Sequence, residues 1–318
     1  MKDVGQILEN FSKSIGNTNM QVFKLDNGKN LFAKLEWENL YGSVKDRAAI
    51  AMLRNVHELN SSAISSGKYE ILEYSGGNLG LSLAYMCFEL GIKLNLVLLD
   101  TINQDILDLL EKLNVRVHLV DKNEGFLGVI LRAKKLSRAN PLFIFLYQHK
   151  NTSNIDVHYR FTGQEIVKQI NKLSESTHFA FVANIGTGST LIGNYLRLKE
   201  SLDIDLYATT PAEMPYGTTL KPYAIRKFAG SGGLGHGLKQ YFVSPYDSDI
   251  VEHFNINIEQ CYKAINIFQK KYKITIGTSS AANYLAAIEI SNKTGLDVIT
   301  IFPDKLPDYE KVYLNDAE

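Results

Sequence analysis

Cysteine is scarce. Among 318 residues only Cys87 and Cys261 occur, far apart, with neither a C-x-x-C pair nor a His at ligand spacing. That leaves no disulfide framework and no thiolate metal pattern, so no metal is expected, and Cys87 reads as helix core. Net charge is also missing, since Lys+Arg 34 balance Asp+Glu 34. The basic residues are scattered among acidic ones rather than gathered on one face, so no nucleic-acid partner is expected. No segment approaches the ~20 apolar residues that span a bilayer, and Met1-Lys-Asp-Val-Gly-Gln lacks an apolar signal core. No membrane association and a reducing, cytoplasmic setting are the expectations. Low-complexity tracts, internal repeats and long linkers are absent too.

What is present is ordinary globular composition, 45% hydrophobic and 21% charged, in a chain longer than one typical domain. From residue 69 short β-rich runs alternate with amphipathic stretches, the pattern of an α/β protein with parallel sheets. Tyr69–Tyr74, Leu94–Leu99, Val115–Val120 and Leu142–Tyr147 read as strands, and Leu81–Leu90, Gln104–Asn114 and Gly128–Ala139 as helices. A second α/β region runs from the helix Gly163–Leu173 through the strand Phe179–Ala183 to the strand Val298–Phe302. The expected division is 37-150 as a smaller α/β domain, with 1-36 and 151-318 as a larger one, sharing a cleft.

Gly42-Ser-Val-Lys45-Asp-Arg47 follows the strand-like run Leu31–Trp37 and opens the helical stretch Arg47–His57. At a helix N-terminus the dipole favours a free lysine amine, as Schiff-base chemistry requires, whereas alone such a Lys reads as surface charge. Asn184-Ile-Gly186-Thr-Gly-Ser-Thr190 lies between an apolar strand and the helix Leu191–Lys199. Small residues and exposed N–H groups there form an anion cradle, though not a P-loop, and the bland alternative is an empty turn. Ser75-Gly-Gly-Asn78-Leu-Gly80, between strand and helix, reads as a holder for a carboxylate or ring oxygen, or as a tight turn. Gly230-Ser-Gly232-Gly-Leu-Gly235 matches G-x-G-x-x-G without the strand and helix that motif needs, and reads as a flexible lid. Asp304 is either a site residue or an ordinary cap.

Together these stretches resemble the fold-type II enzymes dependent on pyridoxal 5'-phosphate (PLP), in the cysteine synthase and cystathionine β-synthase branch. Ile15-Gly-Asn-Thr18 resembles the family's I-G-N-T, and Ala33-Lys-Leu-Glu followed by Gly42–Arg47 resembles its cofactor-lysine segment. The resemblance implies two open, mostly parallel α/β domains of the tryptophan synthase β type, with PLP in the cleft between them. It makes Lys45 the catalytic lysine and places Asn78 against the cofactor's ring hydroxyl. Gly186, Thr187, Gly188, Ser189 and Thr190 become the phosphate loop, and Ser279 in Gly277-Thr-Ser279-Ser-Ala281 the ring-nitrogen partner. Ser75, Gly76, Gly77, Asn78 and Leu79 take the place of the substrate-carboxylate loop T-S-G-N-T-G. Gln148, ahead of His158-Tyr-Arg-Phe-Thr-Gly163, becomes a further substrate ligand.

A neutral hydroxyl at the ring nitrogen makes the ring a weak electron sink, suited to α-proton removal coupled to loss of a β-leaving group, giving an aminoacrylate. The activity implied is cysteine-synthase-like β-replacement or β-elimination on a small serine- or cysteine-derived amino acid. O-acetylserine or O-phosphoserine is the donor and sulfide the nucleophile. Alternatives are a 2,3-diaminopropionate-precursor synthase, a cysteine lyase releasing hydrogen sulfide, and a catalytically silent binding paralogue. Gly76 and Leu79 replace two hydroxyl residues, and Ser189 and Ala281 two glycines. The expectation is room for a different substrate beside Gly76, with His236 as an added polar group. A homodimer without haem or regulatory module is implied.

Overall fold

The computed structural model describes residues 3–65, 67–218 and 237–317. In chain order the main elements begin with α1 (Val4–Ser14), β1 (Met20–Lys24), β2 (Asn30–Leu35), α2 (Lys45–Ser65), β3 (Glu70–Tyr74), α3 (Asn78–Leu90) and β4 (Leu94–Leu99). There follow α4 (Gln104–Lys112), β5 (Arg116–Val120), α5 (Gly125–Ala139), β6 (Phe143–Phe145), α6 (Thr152–Val157) and α7 (Gly163–Leu173). The chain continues with β7 (His178–Asn184), α8 (Ser189–Leu198), β8 (Asp203–Pro211), β9 (Ile250–Ile256), α9 (Ile258–Tyr272), α10 (Thr278–Thr294) and β10 (Val298–Phe302). The fold is mixed α/β with mainly parallel sheets.

The chain divides into two compact units, Met1–Gly16 with Lys45–Asn154, and Asn17–Val44 with Ile155–Glu318. In the smaller unit the sheet order is β5-β4-β3-β6, all parallel. Its inner strand β4, Leu94-Asn-Leu-Val-Leu-Leu99, is buried along nearly its whole length, the near-continuous apolar run that a parallel strand covered on both faces requires. Leu72, Tyr74 and Val97 pack with Val129, Ile130 and Ala133 of α5. α1 packs on α2 and α3, and Arg54 Nη1 donates to Ser12 Oγ at 2.7 Å. The first sixteen residues therefore belong with the smaller unit, which corrects the expectation that put 1-36 with the larger domain.

The larger unit is built on a sheet of order β1-β2-β10-β7-β8-β9, parallel except for the β1–β2 hairpin. Period-2 alternation in β7 sends Phe179, Phe181 and Ala183 into a core shared with α7 and α8. Ala180 and Val182 face the other core, built with α9 and α10 around Phe23, Phe268 and Phe302. Residues 37–44 are held by this unit, since the Val44 N–H donates to the Pro303 carbonyl at 2.9 Å and Ser43 bridges Asp304. The boundary expected at residue 37 accordingly falls at 45, and the one at 150 falls at 154.

Candidate active site

In the smaller unit the assigned residues gather where the parallel strands end at their carboxyl edge, the position at which open α/β sheets bind ligands. Gly42 N–H closes a turn on the Asn39 carbonyl at 2.9 Å, and α2 begins at Lys45. The lysine is partly exposed, while Asp46 and Arg47 behind it are buried. The Ser82 hydroxyl lies 2.5 Å from Asp46 Oδ1 and 2.8 Å from the Asn78 carbonyl, and donates to either. One hydroxyl thus ties the residue after Lys45 to the residue that begins α3. Spacing alone offered a hint of this, because Ser82 is one helical turn beyond Asn78.

The Ser75–Gly80 stretch is a turn that opens α3. A Cβ at Gly80 would lie 2.1 Å from the Ser75 carbonyl oxygen, so the turn closes this tightly only on glycine. Ser75, Gly76 and Asn78 are partly exposed and Gly77 is open to solvent. Leu79 is buried, at 2% exposure. A Cβ on Gly76 would meet Ile102 Cδ1 at 3.0 Å and Leu98 Cδ2 at 3.8 Å, so a side chain in that direction would require Ile102 to shift. Ile102 reaches into the space a side chain would take, from the turn after β4.

Gln148 is almost wholly buried and turns inward, donating from Nε2 to the Tyr74 carbonyl at 2.8 Å. Beside it lies Glu73, unmentioned in the motif reading though a lone acid in the apolar run Ile71-Leu-Glu-Tyr signals a buried carboxyl. Its Oε1 accepts from Tyr74 N–H at 2.9 Å and its Oε2 from Gln148 N–H at 3.1 Å. Burial pushes this carboxyl up to about 8, against the lowering effect of those N–H donors.

In the larger unit Gly186–Thr190 joins the end of β7 to the start of α8, and all five residues are buried. Gly188 holds φ +84, and a Cβ there would lie 2.1 Å from Val243 Cγ2. The Thr187 and Ser189 hydroxyls bond one another at 2.8 Å, so the serine that replaces a family glycine is accommodated within the loop. Thr190 Oγ1 is 3.2 Å from His158 Nε2, whose Nδ1 is 3.1 Å from Thr162 Oγ1. His158 starts a π-helical segment, His158–Thr162, and is fully buried behind the loop. Hydroxyls and helix-start N–H groups are the donor chemistry a phosphate ester requires.

Ser279 lies in the first turn of α10, after Gly277, at the carboxyl edge of the same sheet. Asp304 caps this corner, its carbonyl accepting from the Gly277 N–H and the Ser280 hydroxyl, each at 3.1 Å. Gly230–Gly235 and His236 lie outside the described residues. Among the described residues no cluster of His, Cys, Asp and Glu has the arrangement of a metal site, and no helix is long and apolar enough to cross a membrane.

Comparison with known proteins gives this geometry its context. A probable cysteine synthase of Bacillus subtilis (strain 168) is 31% identical over 302 residues, covering 93% of each chain. The crystal structure of a hydrogen sulfide-producing enzyme from Fusobacterium nucleatum superposes with TM-score 0.84 at 26% identity, covering 98% of this chain and 92% of that one. An O-acetylserine-dependent cystathionine β-synthase from Helicobacter pylori superposes with TM-score 0.82 at 27% identity, covering 95% and 96%. The family described as pyridoxal-phosphate dependent enzyme matches residues 11–304. With the motifs in their expected order, a lysine opening α2 and a hydroxyl-rich loop opening α8, the chain belongs to the pyridoxal-phosphate dependent enzymes of fold type II.

Proposed function

We propose that this chain is a β-replacing enzyme of the cysteine-synthase type, taking O-acetylserine or O-phosphoserine as donor and sulfide as nucleophile. The observation that carries the reading is the span of the likeness, 93% of this chain and of a probable cysteine synthase at 31% identity. PLP, when bound, supplies an electron sink that acidifies the Cα proton of an amino acid and lets a β-substituent leave.

The protein's part is division of labour. Gly186, Thr187, Gly188, Ser189 and Thr190 hold the phosphate by N–H and hydroxyl donation, with His158 orienting the Thr190 hydroxyl. Ser279 offers the ring nitrogen a neutral hydroxyl, which does not protonate it as a carboxylic acid would. Lys45 would hold the cofactor through Nζ, and the same amine, when free, is the base that would take the substrate's Cα proton. Asn78 would meet the ring hydroxyl, and the Ser75–Leu79 turn would orient the substrate carboxylate through its N–H groups, helped by Gln148. A cytoplasmic homodimer is the assembly that fits.

A second reading, elimination from cysteine with release of hydrogen sulfide, is favoured by the likeness to the Fusobacterium nucleatum enzyme and by the loss of hydroxyls at Gly76 and Leu79. The test is a spectral titration of the purified PLP-loaded protein with O-acetylserine, O-phosphoserine, serine and cysteine. A change in the cofactor band with either activated serine, and cysteine formation on adding sulfide, is the expected result. A response to cysteine alone, with sulfide released, selects the second reading. Silence towards every one of them overturns both.

A further inference from the structure

Glu73 has no part in the chemistry above, yet its carboxyl group is wholly enclosed at the root of the turn that begins with Ser75. Its two oxygens are divided between two stretches of chain. Oε1 accepts from the Tyr74 N–H on its own strand and Oε2 from the Gln148 N–H, beyond β6. The Tyr147 N–H and the Gln148 side-chain amide also favour its ionised form, and Gln148 returns a bond from Nε2 to the Tyr74 carbonyl. Asn154 Nδ2 then holds the Gln148 carbonyl at 2.9 Å.

The stretch held this way is strained. Tyr147 has φ +52, a left-handed conformation that a bulky residue keeps only where its surroundings impose it. The imposed turn delivers Gln148 to the end of β3. Because Ser75 follows Tyr74 directly and its carbonyl sits against Gly80, the position of Tyr74 sets the start of the turn and the first turn of α3.

We infer that Glu73 is a positioning residue for the amino-acid substrate, its carboxyl group clamping the Tyr147–Gln148 turn onto the end of β3 and fixing Gln148 and the Ser75–Gly80 turn together. The inference rests on the proposed function, which makes those residues the receivers of the substrate carboxylate. The clamp needs two acceptor oxygens facing two N–H donors. Glutamine keeps the volume but offers one acceptor and one NH₂ group, which faces an N–H donor and breaks one bond. Leucine removes all of them.

The test compares wild-type, Glu73→Gln and Glu73→Leu holoproteins. Lys45, Ser279 and the Gly186–Thr190 loop are untouched, so PLP content stays at the wild-type level. The KM for the amino-acid donor rises about three- to tenfold in Glu73→Gln, the expected loss of about one hydrogen bond, while kcat stays within about threefold. Amide hydrogen exchange at 74, 147 and 148 speeds up about three- to tenfold, the same fold-change at the clamp itself. Unchanged KM in a PLP-loaded Glu73→Gln protein overturns the inference, as does unchanged exchange at those three amides. Equal falls in kcat and PLP content without a KM change also overturn it, because they mark general loosening. Should Glu73→Leu not fold, the glutamine variant and the exchange measurement decide alone. If the wild type responds to no donor, the proposed function falls while the exchange result still judges the clamp.

Discussion

Replacing Gly188 by alanine attacks the phosphate loop at its least tolerant point. The residue holds φ +84, and placing an L side chain in the left-handed region costs about 1–2 kcal/mol. The new Cβ would lie 2.1 Å from Val243 Cγ2, far inside contact distance, and Val243 is fully buried. Relieving such overpacking costs about 1–3 kcal/mol more. The total, about 2–5 kcal/mol, corresponds to roughly 30- to several-thousand-fold in PLP affinity if the loop alone yields. The assay is equilibrium dialysis or fluorescence quenching with PLP on the apoprotein, alongside thermal denaturation to apportion the loss. Adding Val243→Ala removes the clash but not the backbone strain, so the double variant regains part of the affinity and no more. Wild-type PLP affinity and unchanged Tm in Gly188→Ala would refute the reasoning, because both the left-handed backbone and the contact with Val243 would then be wrong.

Lys45→Ala is expected to abolish turnover and the visible cofactor band, and borohydride treatment of the wild type should fix the cofactor on the tryptic peptide carrying residue 45. Leu79→Thr, which restores a family hydroxyl, should cost about 2–4 kcal/mol in urea denaturation, since it empties buried volume and buries a hydroxyl; an unchanged midpoint would mean position 79 is open to solvent. Cys87, its thiol pushed up by burial to about 12, should resist iodoacetamide at pH 8 in the native chain and react on unfolding; mass spectrometry showing native alkylation at 87 would contradict the helix packing. Glu73 holds its proton to higher pH when folded, up to about 8 against 4.5 for the free group. The native state therefore binds more protons between those values, and wild-type stability falls as pH rises from about 4.5 to 8 relative to Glu73→Gln. Urea midpoints at pH 5, 6.5 and 8 that move in parallel for the two proteins would exclude it.

Elements whose pattern was strong were legible in the sequence. The apolar run at Leu94–Leu99 and the Gly163–Leu173 helix fell where expected. Burial on both faces or a sharp amphipathic stripe leaves little freedom in such segments. α2 begins at Lys45 itself, two residues before the stretch read as helical. The grouping of residues 1–16 was not legible, because it depends on which helices α1 meets, and no local signal carries that. Neither was Ile102, whose packing against Gly76 joins positions linked only through the fold. Leu79 was read by its place in a motif as a substrate contact, while its apolar side chain had every reason to seek the core. The roles of Glu73 and His158 became visible through their partners, since what a buried polar group does is set by the groups that satisfy it.

The sheet order of the larger unit has a bearing on how the chain is made. β2 leaves the ribosome among the first strands, yet its parallel partner is β10, where Leu31 pairs with Val298. At translation speeds of about 5–20 residues per second, β2 waits roughly tens of seconds for that partner. Throughout that interval the β1–β2 hairpin carries Leu31, Ala33 and Leu35, side chains destined for the core, with one edge unpaired. Lys45–Asn154, an unbroken stretch that holds its whole four-stranded sheet, is free of such a delay. The nascent chain is thus most exposed to aggregation through its first forty residues, and a ribosome-bound chaperone would find its substrate there. Truncation just before Val298 would leave that edge permanently open.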